Sequence, residues 1–333
     1  MFFRRGAKIA NAMRPGCRAF AVLLFLLSGC TSTPQTDKLL TDAAEWVDPS
    51  AKELIEVPFY PQEKYQCGPA ALATVLGASY VEVTPEQLVD RVYVPGKKGS
   101  FQLEMLAAAR RHQRIPYELD PQLSDLIREV AAGNPVLVLQ NLGPDWYPQW
   151  HYAVVVGYDM REGAFVLRSG ELERRLTPFK VFENTWRRSN YWGVVALKPG
   201  DIPATAGQRK YFLAVSAFAE RGGDNGSIQK ALLAGVKQWP ENRELRMGLA
   251  NHYYSEGQLA KAGQAYRGLI DKFPGYAPAH NNLALVLLEL GKVEEALEHA
   301  NQAVAIGGRF KDQYLKTLQK VQDGSALSDQ AAF

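Results

Sequence analysis

Apolar and polar positions follow two different periods between residues 54 and 200. After Cys67, Gly68 and Pro69, the apolar run from Ala70 to Leu76 has helical spacing, and Pro is favoured in a first helical turn. Thr84-Pro85-Glu86-Gln87 supplies an N-cap, a first-turn Pro and a capping-box Gln ahead of Leu88 and Val92. Ser100 is predicted to begin a further helix carrying Leu103, Leu106 and Ala109, and another runs from about Ser124 to near Gly133. The apolar runs then shorten and become β-branched: Pro135 to Leu142, Tyr152 to Tyr158, Ala164 to Leu167, and Tyr191 to Leu197. These predict strands, several of them buried on both faces. Helices followed by strands give an α+β domain and not an alternating βαβ one.

The composition breaks at Lys198-Pro199-Gly200-Asp201-Ile202-Pro203, and a repeat begins. Leu249, Ala250, Gly257 and Ala262 recur 34 positions later as Leu283, Ala284, Gly291 and Ala296, and Pro240 and Pro274 are separated by the same interval. A fainter copy aligns Gly223 with Gly257; Ala265 falls opposite His299, and Pro274 opposite Gly308. This period, with small residues at helix contacts and Gly at the turn, resembles tetratricopeptide repeats. Three units are expected, about 207–240, 241–274 and 275–308. A last amphipathic helix with Tyr314, Leu315, Leu318 and Val321 would cap the stack. Stacked repeats present a concave surface suited to a protein partner. An unrelated helical bundle is the other reading of this half.

The first thirty residues change the charge argument. Arg4, Arg5, Lys8, Arg14 and Arg18 precede any acid, the first being Asp37. The apolar stretch from Ala19 to Leu27 is far short of the roughly 20 residues a spanning helix needs. It ends in Leu27-Ser28-Gly29-Cys30, which resembles the bacterial lipobox, in which the Cys is acylated and becomes the new N-terminus. More than one acyl chain gives stable anchoring. Thr31 follows, where Asp would retain an enteric lipoprotein at the inner membrane, so a periplasm-facing outer-membrane lipoprotein is expected. An ordinary signal peptide with a chance Cys is the alternative. Loss of residues 1–29 would take the formal charge from +3 to near −2, because five basic residues leave. No basic surplus then points to nucleic acid. Residues Thr31 to about Glu53 are polar without sustained periodicity, as a tether would be.

Cys17 belongs to this leader and Cys30 to the lipid attachment, so Cys67 is the one free thiol left in the folded body. At a helix start, unpaired N–H groups and the helix dipole favour a thiolate, which suits a nucleophile; a buried packing Cys is the alternative. Two histidines lie in the α+β domain. His112 follows Arg110 and Arg111 and reads as part of a solvated basic cluster, whereas His151 opens the apolar strand ending at Tyr158. A polar residue at the mouth of such a strand can reach a cleft, and Cys–His pairs activate a thiol by proton transfer or as a resting ion pair. The Gln62 amide could donate to an oxyanion or simply face solvent. Trp146, Tyr147 and Trp150 abut His151 and would either wall a peptide cleft or pack within their loop. Scattered histidines and one thiol give no metal-ligand cluster, and no Gly-rich loop follows a strand, so no cofactor is expected.

Gln62, Cys67-Gly68-Pro69-Ala70-Ala71-Leu72 and His151-Tyr152-Ala153-Val154-Val155-Val156-Gly157-Tyr158 together resemble the C39-like cysteine peptidases, over about residues 55–198. These peptidases are related to the processing domains of bacteriocin exporters, which cut leader peptides after a double glycine. The resemblance implies a papain-like fold, with Cys67 as nucleophile, His151 as base and Gln62 as oxyanion donor. A lipobox, this domain and repeats in that order also resemble a group of proteobacterial lipoprotein peptidases. The third member departs from the family. An Asp is expected about sixteen residues after the His, but here Leu167-Arg168-Ser169-Gly170 stands, with no acid until Glu171. Ser169 can accept from the imidazole without stabilising its charged form, and Asp159 is the nearest acid after the strand, though it also suits a turn with Arg161, Glu162 and Gly163. The expected organisation is a signal peptide at 1–29, a lipid-anchored tether at 30–54, and a C39-like domain at 55–200. Repeats with a capping helix occupy 207–323 and a tail 324–333. The fold class is an α+β papain-like domain followed by an all-α tetratricopeptide-repeat solenoid. The expected function is a lipid-anchored cysteine peptidase acting on a peptide or leader-like substrate, with repeats that recruit a partner; the alternative is a non-catalytic, peptidase-like binding or scaffold lipoprotein.

Overall fold

The computed structural model describes residues 32–46, 50–61, 66–97 and 99–331. In chain order, the first part comprises α1 (Pro34–Trp46), β1 (Ala51–Glu53), α2 (Cys67–Ala78), α3 (Pro85–Val92), β2 (Tyr93–Val94), β3 (Gly99–Ser100), α4 (Gln102–Arg111) and β4 (Ile115–Glu118). It continues through α5 (Leu123–Ala131), β5 (Val136–Asn141), β6 (Trp150–Asp159), β7 (Ala164–Ser169), β8 (Leu172–Pro178), α6 (Phe179–Arg187) and β9 (Gly193–Leu197). Antiparallel pairing sets the sheet order β4-β9-β5-β6-β7-β8, and β1 pairs with the far end of β6.

The sheet has two covered faces, which is why its central strands read as apolar runs. Tyr152, Val154 and Val156 face α2, α3 and α4 in a core with Ala71, Leu72, Leu88 and Met105. Ala153, Val155, Phe165 and Leu167 face α5 and α6, among Leu126, Phe179, Phe182 and Trp186. Helix α2 is apolar on every side and is buried from Gly68 to Leu76, as such a helix must be. Its partner α3 starts as the sequence predicts, with Gln87 Oε1 accepting from the Thr84 N–H at 2.9 Å.

Several elements differ from the expectation. The helix placed at Ser100 starts at Gln102, because Ser100 closes the short β2–β3 pair and Phe101 is extended. Strand β8 escapes notice because most of its residues are exposed, so it has no apolar run. Strand β4 is four residues long and contains Pro116, which an edge strand tolerates. Helix α6 carries its buried residues Phe179, Phe182, Glu183 and Trp186 at helical spacing, too short a pattern to stand out. Most significantly, the polar stretch expected to be a tether forms α1 and docks. Thr36 and Leu39 are buried, and the buried Glu183 carboxylate accepts from the Gln35 N–H (3.1 Å), the Thr36 N–H (2.7 Å) and the Thr36 hydroxyl (2.6 Å). A carboxylate at a helix N-terminus meets both the unpaired N–H groups and the helix dipole.

The helical half follows as α7 (Gln208–Glu220), α8 (Asn225–Gln238), α9 (Arg243–Ser255), α10 (Leu259–Lys272), α11 (Ala277–Glu289), α12 (Val293–Ile306) and α13 (Lys311–Ala331). Ala250, Ala262, Ala284 and Ala296 are fully buried where the paired helices cross, and the turn glycines Gly257 and Gly291 have φ of 67° and 72°. In the faint first unit the positive φ, 127°, belongs to Gly222 and not to the aligned Gly223. The two halves share one core. Tyr211, Val215, Phe218, Ile228 and Leu232 pack in the same cluster as Leu126, Phe182 and Trp186. The buried Glu129 carboxylate accepts from the backbone N–H groups of Ala204 and Thr205 and from the Thr205 hydroxyl, at 3.2, 2.8 and 2.6 Å. The composition break at 198–203 is therefore a pinned connection.

Candidate active site

Cys67 is the first residue of α2, as its Gly-Pro flank predicts. A side chain at position 68 is not accommodated: a Cβ there would lie 2.2 Å from Ser100 Oγ, which makes Gly the residue that lets the β2–β3 pair close over the helix start. The Cys67 sulfur is partly buried, and burial pushes its pKa above the ordinary 9.0. Backbone N–H groups of Tyr152, Gly68 and Cys67 itself pull the other way but are the smaller effect. The hydrogen bond from Tyr152 ties the thiol to the opening of β6, one residue beyond His151.

His151 lies opposite Gln140 of β5, whose amide donates to Thr185 Oγ1 at 2.6 Å. Its Nε2 is 2.8 Å from Ser169 Oγ, so the residue at the family's acid position does hold the imidazole. Burial, and then the nearby Arg175 guanidinium, lower the His151 pKa to about 4. The free protein thus holds a neutral imidazole and a neutral thiol. This differs from the thiolate that a helix start alone suggests: desolvation penalises both charged forms and exceeds the pull of the N–H groups. Without a bound ligand, Cys67 alkylation is expected to climb only as pH passes above 9, since the thiolate fraction follows the raised pKa. A pH series of iodoacetamide rates checks this, and a midpoint below pH 8 would refute it.

Asp159 does not reach this place. It ends β6, eight residues and roughly 26 Å from His151 along the strand. There its Oδ1 accepts from the Arg161 and Glu162 N–H groups at 2.9 and 3.1 Å, so it belongs to the turn. His112 is the C-cap of α4, with Arg111 and Arg114 nearby holding its pKa down after burial. Trp146, Tyr147 and Trp150 are 85, 63 and 54% exposed, so they are not packed within their loop. Gln62 and Cys30 lie outside the described residues. Among the described residues no group of three or more His, Cys, Asp or Glu is placed to hold a metal ion. No helix among them is long and apolar enough to cross a membrane.

Arg175 is the site residue that sequence reasoning misses. It sits on the polar strand β8, directly opposite Leu167, and cross-strand partners share a face of the sheet. Leu167 and Ser169 lie two apart on β7, so Arg175 and Ser169 are on one face with His151. The tight Ser169-Gly170-Glu171-Leu172 turn, with Gly170 at φ 63°, is the only hint the sequence offers.

Residues 54–194 match a family model described as Peptidase_C39 like family. Residues 219–277 and 253–320 each match a model of the tetratricopeptide repeat. No curated protein matches the sequence. Among solved structures, one from Bacillus anthracis assigned as a C39-like peptidase is 17% identical, with a TM-score of 0.39 over 44% of this chain and 98% of its own. Two structures of MamA are 18% and 16% identical and each match 38% of this chain, over 67% and 81% of their own, with TM-scores of 0.33 and 0.29. The assignment therefore rests on the family models together with the sheet and the helix pairs. Residues 54–194 carry a domain of the C39-like peptidase family, and tetratricopeptide repeats of the kind that bind other proteins follow it.

Proposed function

We propose that the protein is a lipid-anchored cysteine peptidase that cleaves a peptide or leader-like substrate, with the repeats recruiting a protein partner or the substrate itself. The observation that carries this reading is the contact of His151 Nε2 with Ser169 Oγ at 2.8 Å, at the strand opening to which the Cys67 sulfur is tied. With Nε2–H as the donor in that contact, Nδ1 is the imidazole nitrogen that can take the thiol proton. In the reaction Cys67 Sγ attacks the scissile carbonyl carbon while its proton passes to His151. The oxyanion is met by the Cys67 N–H and the Gln62 amide. His151 then gives the proton to the leaving amine. Water, deprotonated by His151, hydrolyses the thioester and restores the thiol. The test is incubation of the purified protein with a peptide library and identification of new termini by mass spectrometry. Wild type is expected to cut and Cys67→Ala to leave the library intact. The non-catalytic scaffold reading wins if neither protein cuts while the repeats still bind.

The anchor belongs to the same reading. Acylated Cys30 would stand three residues before the buried Thr33, within about 10 Å of the folded body. The docked α1 would then hold the domain close against the periplasmic face of the outer membrane. Cys30→Ser is expected to leave the precursor uncleaved and without acyl chains. Unacylated mature protein from the wild-type gene, seen in an intact-mass spectrum, would end the anchor proposal.

A further inference from the structure

The contact between His151 Nε2 and Ser169 Oγ admits two hydrogen arrangements. In the first, the Ser169 hydroxyl donates to Nε2, and the single ring proton of neutral imidazole sits on Nδ1. In the second, Nε2–H donates to Ser169 Oγ, and Nδ1 carries the lone pair. Only the second can take a proton from a thiol through Nδ1. It leaves the Ser169 hydroxyl hydrogen in need of an acceptor, because a hydroxyl has one donor of its own. Ser169 is 2% exposed, and its side chain makes no second hydrogen bond among the described residues. Either arrangement leaves one donor over, Nδ1–H in the first and the Ser169 hydroxyl in the second. Solvent can meet Nδ1–H on the partly exposed ring, whereas an unmet donor on buried Ser169 is costly, so the free protein rests in the first, unproductive arrangement.

A cation lies on the same face of the sheet, near enough to act on the His151 ring. Arg174 is paired with Glu53 at 2.9 Å, whereas its exposed neighbour Arg175 makes no ion pair among the described residues. Arg175 shares the sheet face of Ser169 and His151 through its register with Leu167. The other groups around the imidazole do not supply an anion. Gln140 is engaged with Thr185, Arg168 is turned to the Val57 and Glu173 carbonyls, and Glu171 and Glu173 are exposed at the hairpin.

We propose that Ser169 and Arg175 form a subsite for a carboxylate of the peptide substrate, and that its arrival turns His151 into the tautomer that can act as base. One carboxylate oxygen accepts from the Ser169 hydroxyl, and the carboxylate pairs with the Arg175 guanidinium. The Ser169 oxygen then accepts from Nε2–H, which frees Nδ1. The substrate thus contributes the acid that position 169 lacks. The same neutralisation of Arg175 lifts one of the two causes that depress the His151 pKa. The subsite rests on the peptidase reading only in naming a peptide as the carrier.

The first readouts of the test do not depend on cleavage. Iodoacetamide labelling of Cys67 and ¹⁵N NMR of His151 are followed at pH 7 in the full chain while peptides are titrated in. An amidated peptide with an internal Glu isolates the side-chain source, and a neutral peptide with a free C-terminus isolates the terminal one. At least one is expected to speed labelling in a saturable manner, by about tenfold, and to move the ring proton from Nδ1 to Nε2. Arg175→Gln should abolish the saturation, and Ser169→Asp should label at the accelerated rate without peptide. A ring proton already on Nε2 in the free protein would overturn the proposal. An equal response to neutral amidated peptide, or an undiminished one in Arg175→Gln, would also overturn it. If wild type cuts neutral amidated peptides as fast as acidic ones, the subsite fails while the peptidase reading stands. If no peptide is cut but the tautomer responds, the reverse holds.

Discussion

Ser169→Asp is expected to raise kcat/KM for peptide cleavage by about two to three orders of magnitude. The wild-type hydroxyl can hold the His151 ring but cannot stabilise positive charge on it, and the His151 pKa lies at about 4. A carboxylate at the same place fixes Nε2–H, favours imidazolium, and raises that pKa. In the serine-protease triad, loss of the orienting carboxylate's charge costs about 10⁴ in rate, which bounds the gain available here. Arg175, on the same face, gives the new carboxylate a counter-charge and limits the desolvation it suffers. The pH profile should shift with the rate: the acid limb of the wild type reflects the depressed His151, and in Ser169→Asp it should move upward. Unchanged or lower activity in a folded Ser169→Asp protein would mean that some other group already orients His151.

His151→Ala should lower the same quantity by about 10²–10⁴, because the Cys67 thiol is held protonated by burial and loses its assigned base. The substitution has a separate signature in stability. The folded His151 takes a proton only near pH 4, whereas the unfolded chain takes it near 6.5. Stability from this group is therefore complete above pH 6.5 and is lost as pH falls from 6.5 to about 4, by about 3 kcal/mol in all. Urea unfolding of wild type should show this decline, and in His151→Ala the decline should be smaller by this amount. A parallel decline in both proteins would place the titration elsewhere.

The sequence reveals the parts of this protein that carry periodic signals. The 34-residue spacing of Ala250 and Ala284 sets the repeats, because small residues are demanded wherever helices cross closely. Cys67 and His151 are legible because each opens an element, a helix and a strand, with apolar residues behind it. What stays hidden depends on burial that sequence does not express. The docking of α1 turns on one carboxylate, Glu183, that lies more than 140 positions away. Arg175 sits on an exposed strand with no apolar run to announce it, and Asp159 looks like a candidate only until strand length is counted. The direction of the thiol shift is equally invisible, since it is set by how deeply the helix start is buried.

Labelling with a peptidyl electrophile, followed by mapping of the modified residue, tests the central claim most directly. The reagent needs both a peptide cleft and a thiol assisted by a base. The account predicts a single adduct at Cys67, formed at least a hundredfold more slowly in His151→Ala. Folded protein that forms no adduct, or one formed at the same rate without His151, would contradict it.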